Sequence, residues 1–290
     1  MLKISNLNVY TNKGRNLIKD FSFTLNKGDK IGLIGEEGNG KSTLLKIITG
    51  LDVSSYVEYT GNVFCDERIG YLPQKIDDKY LDYDITDYIT DRQVIDYVKF
   101  YDVIKLLNID SKLIEEEHLI NTLSGGEKVK VSLARILYSE PDILLFDEPT
   151  NDLDLRTLIW LEEFIKKDSR PIIFISHDET LLENCSNGIL HLEQYKRKSE
   201  PKITFSGEGY KDYSLRRLHN ISRNNEIARK ESEEFHKQLE KYRQVFERVQ
   251  FEQNTVSRQD PHTAANLKKK MHSLKSMGRR MDERILKVLP

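Results

Sequence analysis

The stretch Gly35-Glu36-Glu37-Gly38-Asn39-Gly40-Lys41-Ser42-Thr43 restricts what this chain can become more than any other. It fits G-x-x-x-x-G-K-[ST] in the context that pattern requires. Ahead of it, Asp29–Ile34 reads as a short buried strand. After it, Leu44–Thr49 reads as a helix closed by Gly50 at the C′ position. The glycines let the backbone curl so that several N–H groups converge on phosphate oxygens at the helix N-terminus. Lys41 then reaches the β- and γ-phosphates, and the Ser42 hydroxyl ligates Mg²⁺. The loop is read as a nucleotide-binding loop, the plain alternative being a glycine-rich turn.

The rest of the chain is expected to build an α/β domain around that loop. Leu2, Ile4, Leu7 and Val9 alternate as in a half-buried strand, and Leu17–Leu25 reads as its antiparallel partner. Strand-like pieces fill 52–72, ending in Ile69-Gly-Tyr-Leu72, and the pattern turns helical from Ile85 to Leu119. Pro141–Phe146 and Pro171–Ile175 are continuous apolar runs, as in parallel strands buried on both faces. Leu155–Lys167 lies between them with helical spacing, which makes a β-α-β unit. Ile189–Glu193 and Lys202–Phe205 read as the closing strands.

From about Asp212 the composition changes. Ile221, Ala228, Phe235, Leu239, Tyr242, Phe246 and Val249 fall on a seven-residue a/d register. Leu267, Met271, Leu274, Met281, Ile285 and Val288 form a second stripe, and Asp260-Pro261 breaks any helix between them. The expected arrangement is an antiparallel helical hairpin over 211–290, with its tip near 253–266 and both stripes buried. The boundary matters electrostatically. Residues 1–210 hold 26 Lys+Arg against 36 Asp+Glu, while residues 211–290 hold 19 against 11. A basic segment on an acidic domain suits an anionic partner. Arg258, His262, Lys268, Lys269 and Lys270 gather at the tip and on the returning helix, the candidate contacts to RNA phosphates. The plainer reading is a solvated charged helix. Cys65 and Cys185 are isolated and form no CxxC, so a metal cluster or disulfide framework is not expected. No run approaches the ~18 apolar residues of a membrane span, so a soluble, cytoplasmic chain is expected.

Four further motifs carry chemistry. Leu123-Ser124-Gly125-Gly126-Glu127 precedes a helical run and offers N–H and hydroxyl donors to an anion, or else a simple N-cap by Ser124. Ile143–Phe146 ends in Asp147 and Glu148, the first placed to hold the Mg²⁺ water shell, the second to accept a proton from an attacking water. His177 follows another buried strand, in reach of a γ-phosphate. Gln74, after Tyr71-Leu-Pro, suits the Mg²⁺ and water shell.

Together these residues resemble the ATP-binding-cassette family across residues 1–210, with the phosphate loop, glutamine loop, signature, acidic pair and switch histidine in family order. The resemblance implies a P-loop cassette with antiparallel β and helical subdomains, and two such domains closing over two ATP molecules. Ser124, Gly125, Gly126 and Glu127 would then serve the partner cassette's ATP. Tyr10 is the candidate for stacking on adenine, with a strand-edge tyrosine as the alternative. Glu148-Pro-Thr-Asn-Asp-Leu-Asp154 resembles the soluble F subfamily, and Phe205–Tyr213 looks like the start of that subfamily's helical linker. In that subfamily the linker tip reaches the ribosome near the peptidyl-tRNA.

Two departures stand out. Asp152 replaces the usual histidine, and the chain stops at Pro290, about where a second cassette would begin. The expectation is therefore an ATPase that needs another copy, or the missing half of a longer protein, to complete its site. Only 75–122 separate the glutamine loop from the signature, so no arm is expected. Armless members with a developed linker include antibiotic-resistance factors that protect the ribosome. The rivals are the ATPase subunit of a membrane transporter and a non-catalytic RNA-binding module gated by ATP.

Overall fold

Alternation of apolar residues at the N-terminus produces β1 (Leu2–Thr11) and β2 (Asn16–Leu25), paired antiparallel with Leu2 opposite Leu25 and Leu7 opposite Phe21. In this computed structural model, residues 1–151, 153–195, 200–255 and 261–288 are described. They divide into two compact units, Met1–Ser214 and Leu215–Pro290.

In the first unit, β3 (Lys30–Gly35) leads into α1 (Lys41–Ile48), and β4 (Val57–Cys65) pairs with β1 to complete a three-stranded antiparallel sheet. The β1–β4 register slips between Ser5 and Asn8. Asn6 takes φ 50° there, and a Cβ on the facing Gly61 (φ 102°) would lie 2.4 Å from the Asn6 carbonyl oxygen. This close approach of two backbones is what requires glycine.

The second sheet has the order β5-β6-β7-β3-β8-β9, from β5 (Ile69–Leu72), β6 (Ile143–Asp147), β7 (Ile172–Ile175), β8 (Gly188–Tyr195) and β9 (Glu200–Ser206). All neighbours are parallel except β8 and β9. Every residue of β6 and β7 is buried. Their alternate side chains enter different cores. Leu144, Phe146, Ile172 and Phe174 pack on the helical side; Ile143, Leu145, Ile173 and Ile175 pack towards α1 and the antiparallel sheet. The helical side is built from α2 (Ile85–Thr90), α3 (Tyr97–Leu106), α4 (Ser111–Glu115), α5 (Gly125–Tyr138), α6 (Leu155–Lys167) and α7 (Glu179–Cys185). The helical expectation for 85–119 is thus met by three short helices, because Asp84, Asp96 and Asp110 each start a new one by capping it.

The second unit contains most of α8 (Tyr210–Thr255) and all of α9 (Pro261–Val288). Pro261 opens α9, where its missing N–H is harmless. Val249, Leu267 and Met271 form a small core, with Phe246 and Leu274 packed on it. A Cβ on Gly278 would meet the Tyr242 hydroxyl at 2.5 Å, which fixes an antiparallel register for the two helices. One expectation fails. Ile221 and Ala228 lie on the apolar stripe but are exposed. With Gly278 opposite Tyr242, α9 as described to Val288 falls short of those positions. The side chains of His262, Met281, Ile285 and Val288, and all of Asp152 and 256–260, including Arg258 in the middle of the expected tip, lie outside the described residues. Among the described residues no helix is long and apolar enough to cross a membrane.

Gly61→Ala should destabilise the first unit more than Gly28→Ala. Both glycines have positive φ, but nothing lies within 4 Å of a Cβ at Gly28. Gly28→Ala should therefore cost only the left-handed strain, roughly 1–2 kcal/mol, and Gly61→Ala that strain plus a backbone clash. Denaturant unfolding of the two variants checks the order.

Candidate nucleotide site

Parallel strands in the order β6-β7-β3 present their carboxyl ends side by side, with β5 next to β6. Asp147 ends β6, and the loops that follow these four strands carry the phosphate loop, Glu148, His177 and Gln74.

The phosphate loop turns on glycine. Gly35 (φ 149°) passes so close to β8 that a Cβ would sit 2.3 Å from the Leu192 carbonyl, while Gly38 (φ 74°) faces open space. Gly40, at the N-cap of α1, provides no side-chain cap and there is no acid in the first turn. The first N–H groups of α1 and its dipole are therefore offered to an anion. The helix ends in a Schellman arrangement, with Leu51 N donating to Lys46 O and Gly50 N to Ile47 O. Asn39 is buried and donates to the Leu192 carbonyl at 3.0 Å, so it braces the loop. Glu36 and Glu37 are exposed, and Thr43 is half-buried. Lys41 is 6% exposed and curls back, its Nζ donating to the carbonyls of Gly35 at 2.7 Å and Glu36 at 3.2 Å. Burial pushes its ammonium below the usual lysine range, against the opposing pull of Glu148, Glu37 and Asp147.

Asp147 closes β6 at 3% exposure. Ser42 Oγ donates to its Oδ1 at 2.9 Å and Tyr71 Oη to its Oδ2 at 3.0 Å. Burial raises the carboxyl above the usual aspartate range despite those two donors. The Tyr71 phenol is pushed up as well, first by burial and then by the Asp147 charge, so it stays a donor.

Glu148 adopts φ 51°, a left-handed backbone that is uncommon for a residue with a side chain. Its N–H bonds the Ile175 carbonyl at 3.2 Å, which ties the strained turn to β7. Gln74 Nε2 and Asn151 Nδ2 each donate to Glu148 Oε2 at 2.9 Å, and His177 Nε2 stands 3.6 Å from Oε1. The structure thus brings Ser42 to Asp147, and Gln74 and His177 to Glu148. It turns the Gln74 amide group to Glu148 rather than to Asp147. Tyr10 is 36% exposed on β1. Tyr71 and Asn151 escaped the sequence reading. Both lie inside motifs already quoted, but only pairing shows their partners. Tyr71 is opposite Leu145, two residues before Asp147 and so on the same face.

The signature stands apart. Ser124 caps α5 in a full capping box: its N–H and Oγ donate to Glu127 Oε2 at 2.8 and 2.6 Å, and Glu127 N donates back to Ser124 Oγ. With Gly125, Gly126, Lys130, Asp154 and Thr157 it lines a hollow of about 280 Å³. Among the described residues no hydrogen bond joins it to the phosphate loop. In the second unit Lys268, Lys269 and Lys270 are exposed on α9.

The family described as "ABC transporter" matches residues 18–151. The ATP-binding protein Uup of Buchnera aphidicola (subsp. Schizaphis graminum) is 36% identical over 232 residues, 78% of this chain and 36% of that protein. The energy-dependent translational throttle protein EttA of Escherichia coli K12 is 31% identical over 218 residues, 62% of this chain and 39% of that protein. Elongation factor 3 of Pneumocystis carinii is 33% identical over 193 residues, 63% of this chain and 17% of that protein. The chain thus spans little more than a third of the length of the first two relatives, and less of the third. Among solved structures, an inward-facing metal-chelate type ABC transporter aligns at TM-score 0.59 and 23% identity, over 73% of this chain and 84% of that one. A dimeric ATP-binding cassette bound to ADP and Pi aligns at TM-score 0.55 and 22% identity, over 70% of this chain and 98% of that one. These last two share the cassette fold.

The raised Asp147 pKa has a stability consequence. A group whose native pKa lies above its unfolded value gives stability that is complete below the unfolded pKa, 3.8, and is lost as pH rises through the native pKa. Asp147→Asn should therefore raise the thermal midpoint of the ligand-free chain at pH 7, and the gain should shrink as pH falls towards 4. A gain independent of pH would contradict this origin.

Proposed function

Residues 18–151 are an ATP-binding-cassette domain and the relatives of the chain are ABC-F proteins; from that premise we propose that it is the first cassette and linker of an ABC-F ATPase acting on the ribosome in translation. The observation that carries the reading is the setting of Glu148. A carboxylate at the end of a buried strand, on a strained backbone, is held by Gln74 and Asn151 and approached by His177. In this reading ATP lies along the phosphate loop with its adenine on Tyr10. Its phosphates meet the N–H groups of Gly38–Thr43 and the Lys41 ammonium, which leaves its own loop carbonyls to reach them.

The donor set beside Lys41 fits Mg²⁺. A hydroxyl and one carboxylate are hard oxygen ligands, few enough that the ion keeps its waters and the phosphate oxygens. Ser42 and Asp147 would hold it, and Gln74 would join after its amide turns from Glu148. Bound there, the ion would supply charge neutralisation for the phosphates. Glu148 orients the attacking water and takes its proton, Asn151 keeps the carboxylate turned to the site, and His177 bonds the γ-phosphate. Two cassettes are needed because Ser124, Gly125 and Gly126 serve the ATP of the other cassette. That step requires the Ser124 capping box to open, freeing the hydroxyl from Glu127. In this reading Lys268–Lys270, together with Arg258 and His262, are the contacts to rRNA or tRNA phosphates. Protection of the ribosome against an antibiotic is the finer form of this reading, favoured by the absence of an arm between 75 and 122.

In the protein paired with its second cassette, Glu148→Gln should lower ATP turnover by about 10²–10⁴-fold while nucleotide binding persists, and should leave the protein trapped on ribosomes. Turnover at the wild-type rate would overturn the mechanism. Replacing Lys268, Lys269 and Lys270 by alanine should weaken ribosome co-sedimentation and flatten its dependence on log salt by about 0.7–0.9 for each phosphate left without a lysine. An unchanged slope would remove these lysines from the RNA interface.

A further inference from the structure

Tyr71 carries a hydroxyl into a place where a hydrophobic side chain would serve the fold. It sits on β5 opposite Leu145 of a strand whose residues are all buried, and its ring is half-buried. A buried phenol is costly unless its O–H finds a partner, and this one donates to Asp147 Oδ2 at 3.0 Å. The other oxygen of the same carboxylate takes the Ser42 hydroxyl at 2.9 Å. The two donors are not equivalent. Ser42 belongs to the phosphate loop and is itself a ligand in the reading above, so its oxygen must turn to the cation. Tyr71 comes from the neighbouring parallel strand and has no such second duty. It is the donor that remains on the carboxylate when Ser42 is engaged elsewhere.

We propose that Tyr71 is a positioning residue for the divalent cation: its phenol holds Asp147 Oδ2 and thereby fixes the rotation that presents Oδ1 beside Ser42. Outer groups that hydrogen-bond a ligating carboxylate set its orientation, and their removal typically weakens metal binding by about 10–100-fold. The strand ends at Leu72 and the chain runs on through Pro73 to Gln74 in the loop that follows, so one segment sets Asp147 through Tyr71 and reaches Glu148 through Gln74. The inference rests on the reading of Ser42 and Asp147 as the metal site.

The test is equilibrium binding of trinitrophenyl-ATP to the full chain, first in EDTA and then across a Mg²⁺ series, for wild type and Tyr71→Phe. The expected result is unchanged affinity in EDTA and a rise of about tenfold or more in the Mg²⁺ concentration that gives half of the metal-dependent change. An unchanged Mg²⁺ midpoint overturns the role of Tyr71. So does an equal loss of affinity in EDTA, which is what a merely structural role predicts. Tyr71→Met, which fills the strand without a hydroxyl, gives the same discrimination should the phenylalanine variant not fold. A wild-type chain that binds the analogue with no response to Mg²⁺ overturns the metal-site reading itself, and Tyr71 with it.

Discussion

The Asp147 carboxylate is buried at the end of β6 with one hydroxyl on each oxygen, and much of the first unit is arranged to make that possible. Its donors come from residues 105 and 76 positions away in sequence. A charge at 3% exposure is tolerable only when its lone pairs are engaged. Two donors meet most of that requirement, and burial still holds the carboxyl above the usual aspartate range. In the reading proposed above, a cation bound beside Ser42 would offset that charge.

The same economy governs the next residue. Glu148 has a backbone that a side chain disfavours, and its strain is met by a hydrogen bond to β7 and by two amide donors on its carboxylate. Those donors come from segments that differ in what they follow. Gln74 is carried by the loop after β5, while Asn151 lies in the turn before α6. Movement of either segment therefore alters how Glu148 is held. The signature residues have the opposite character. Ser124 is bonded to Glu127 through both its N–H and its hydroxyl, so this stretch is, within this chain, a well-made helix cap.

The second unit is held by much less. Its described core is a handful of side chains around Val249, Leu267 and Met271, on helices whose exposed surface is rich in charge but also carries Leu218, Ile227 and Phe251. The apolar stripe of α8 is half-buried from Phe235 to Phe246, buried at Val249 and exposed at Ile221 and Ala228, because a 28-residue helix cannot cover a 46-residue one.

What the sequence determined by itself was everything that depends on local spacing. The phosphate loop between a strand and a helix, the fully apolar runs of β6 and β7, and the acidic pair at the end of β6 all follow from neighbours in the chain, where periodicity and glycine placement act directly. The helix-breaking Pro261 belongs with them. What only the tertiary structure decided was which of these ends meet. Strand order β5-β6-β7-β3 cannot be read from spacing, because parallel neighbours are joined by long crossovers. That order gives Tyr71 to Asp147 and Gln74 to Glu148. Asn151 was hidden for a different reason: its contact depends on the left-handed turn at Glu148, a strained conformation that local propensity argues against and only the surrounding packing enforces.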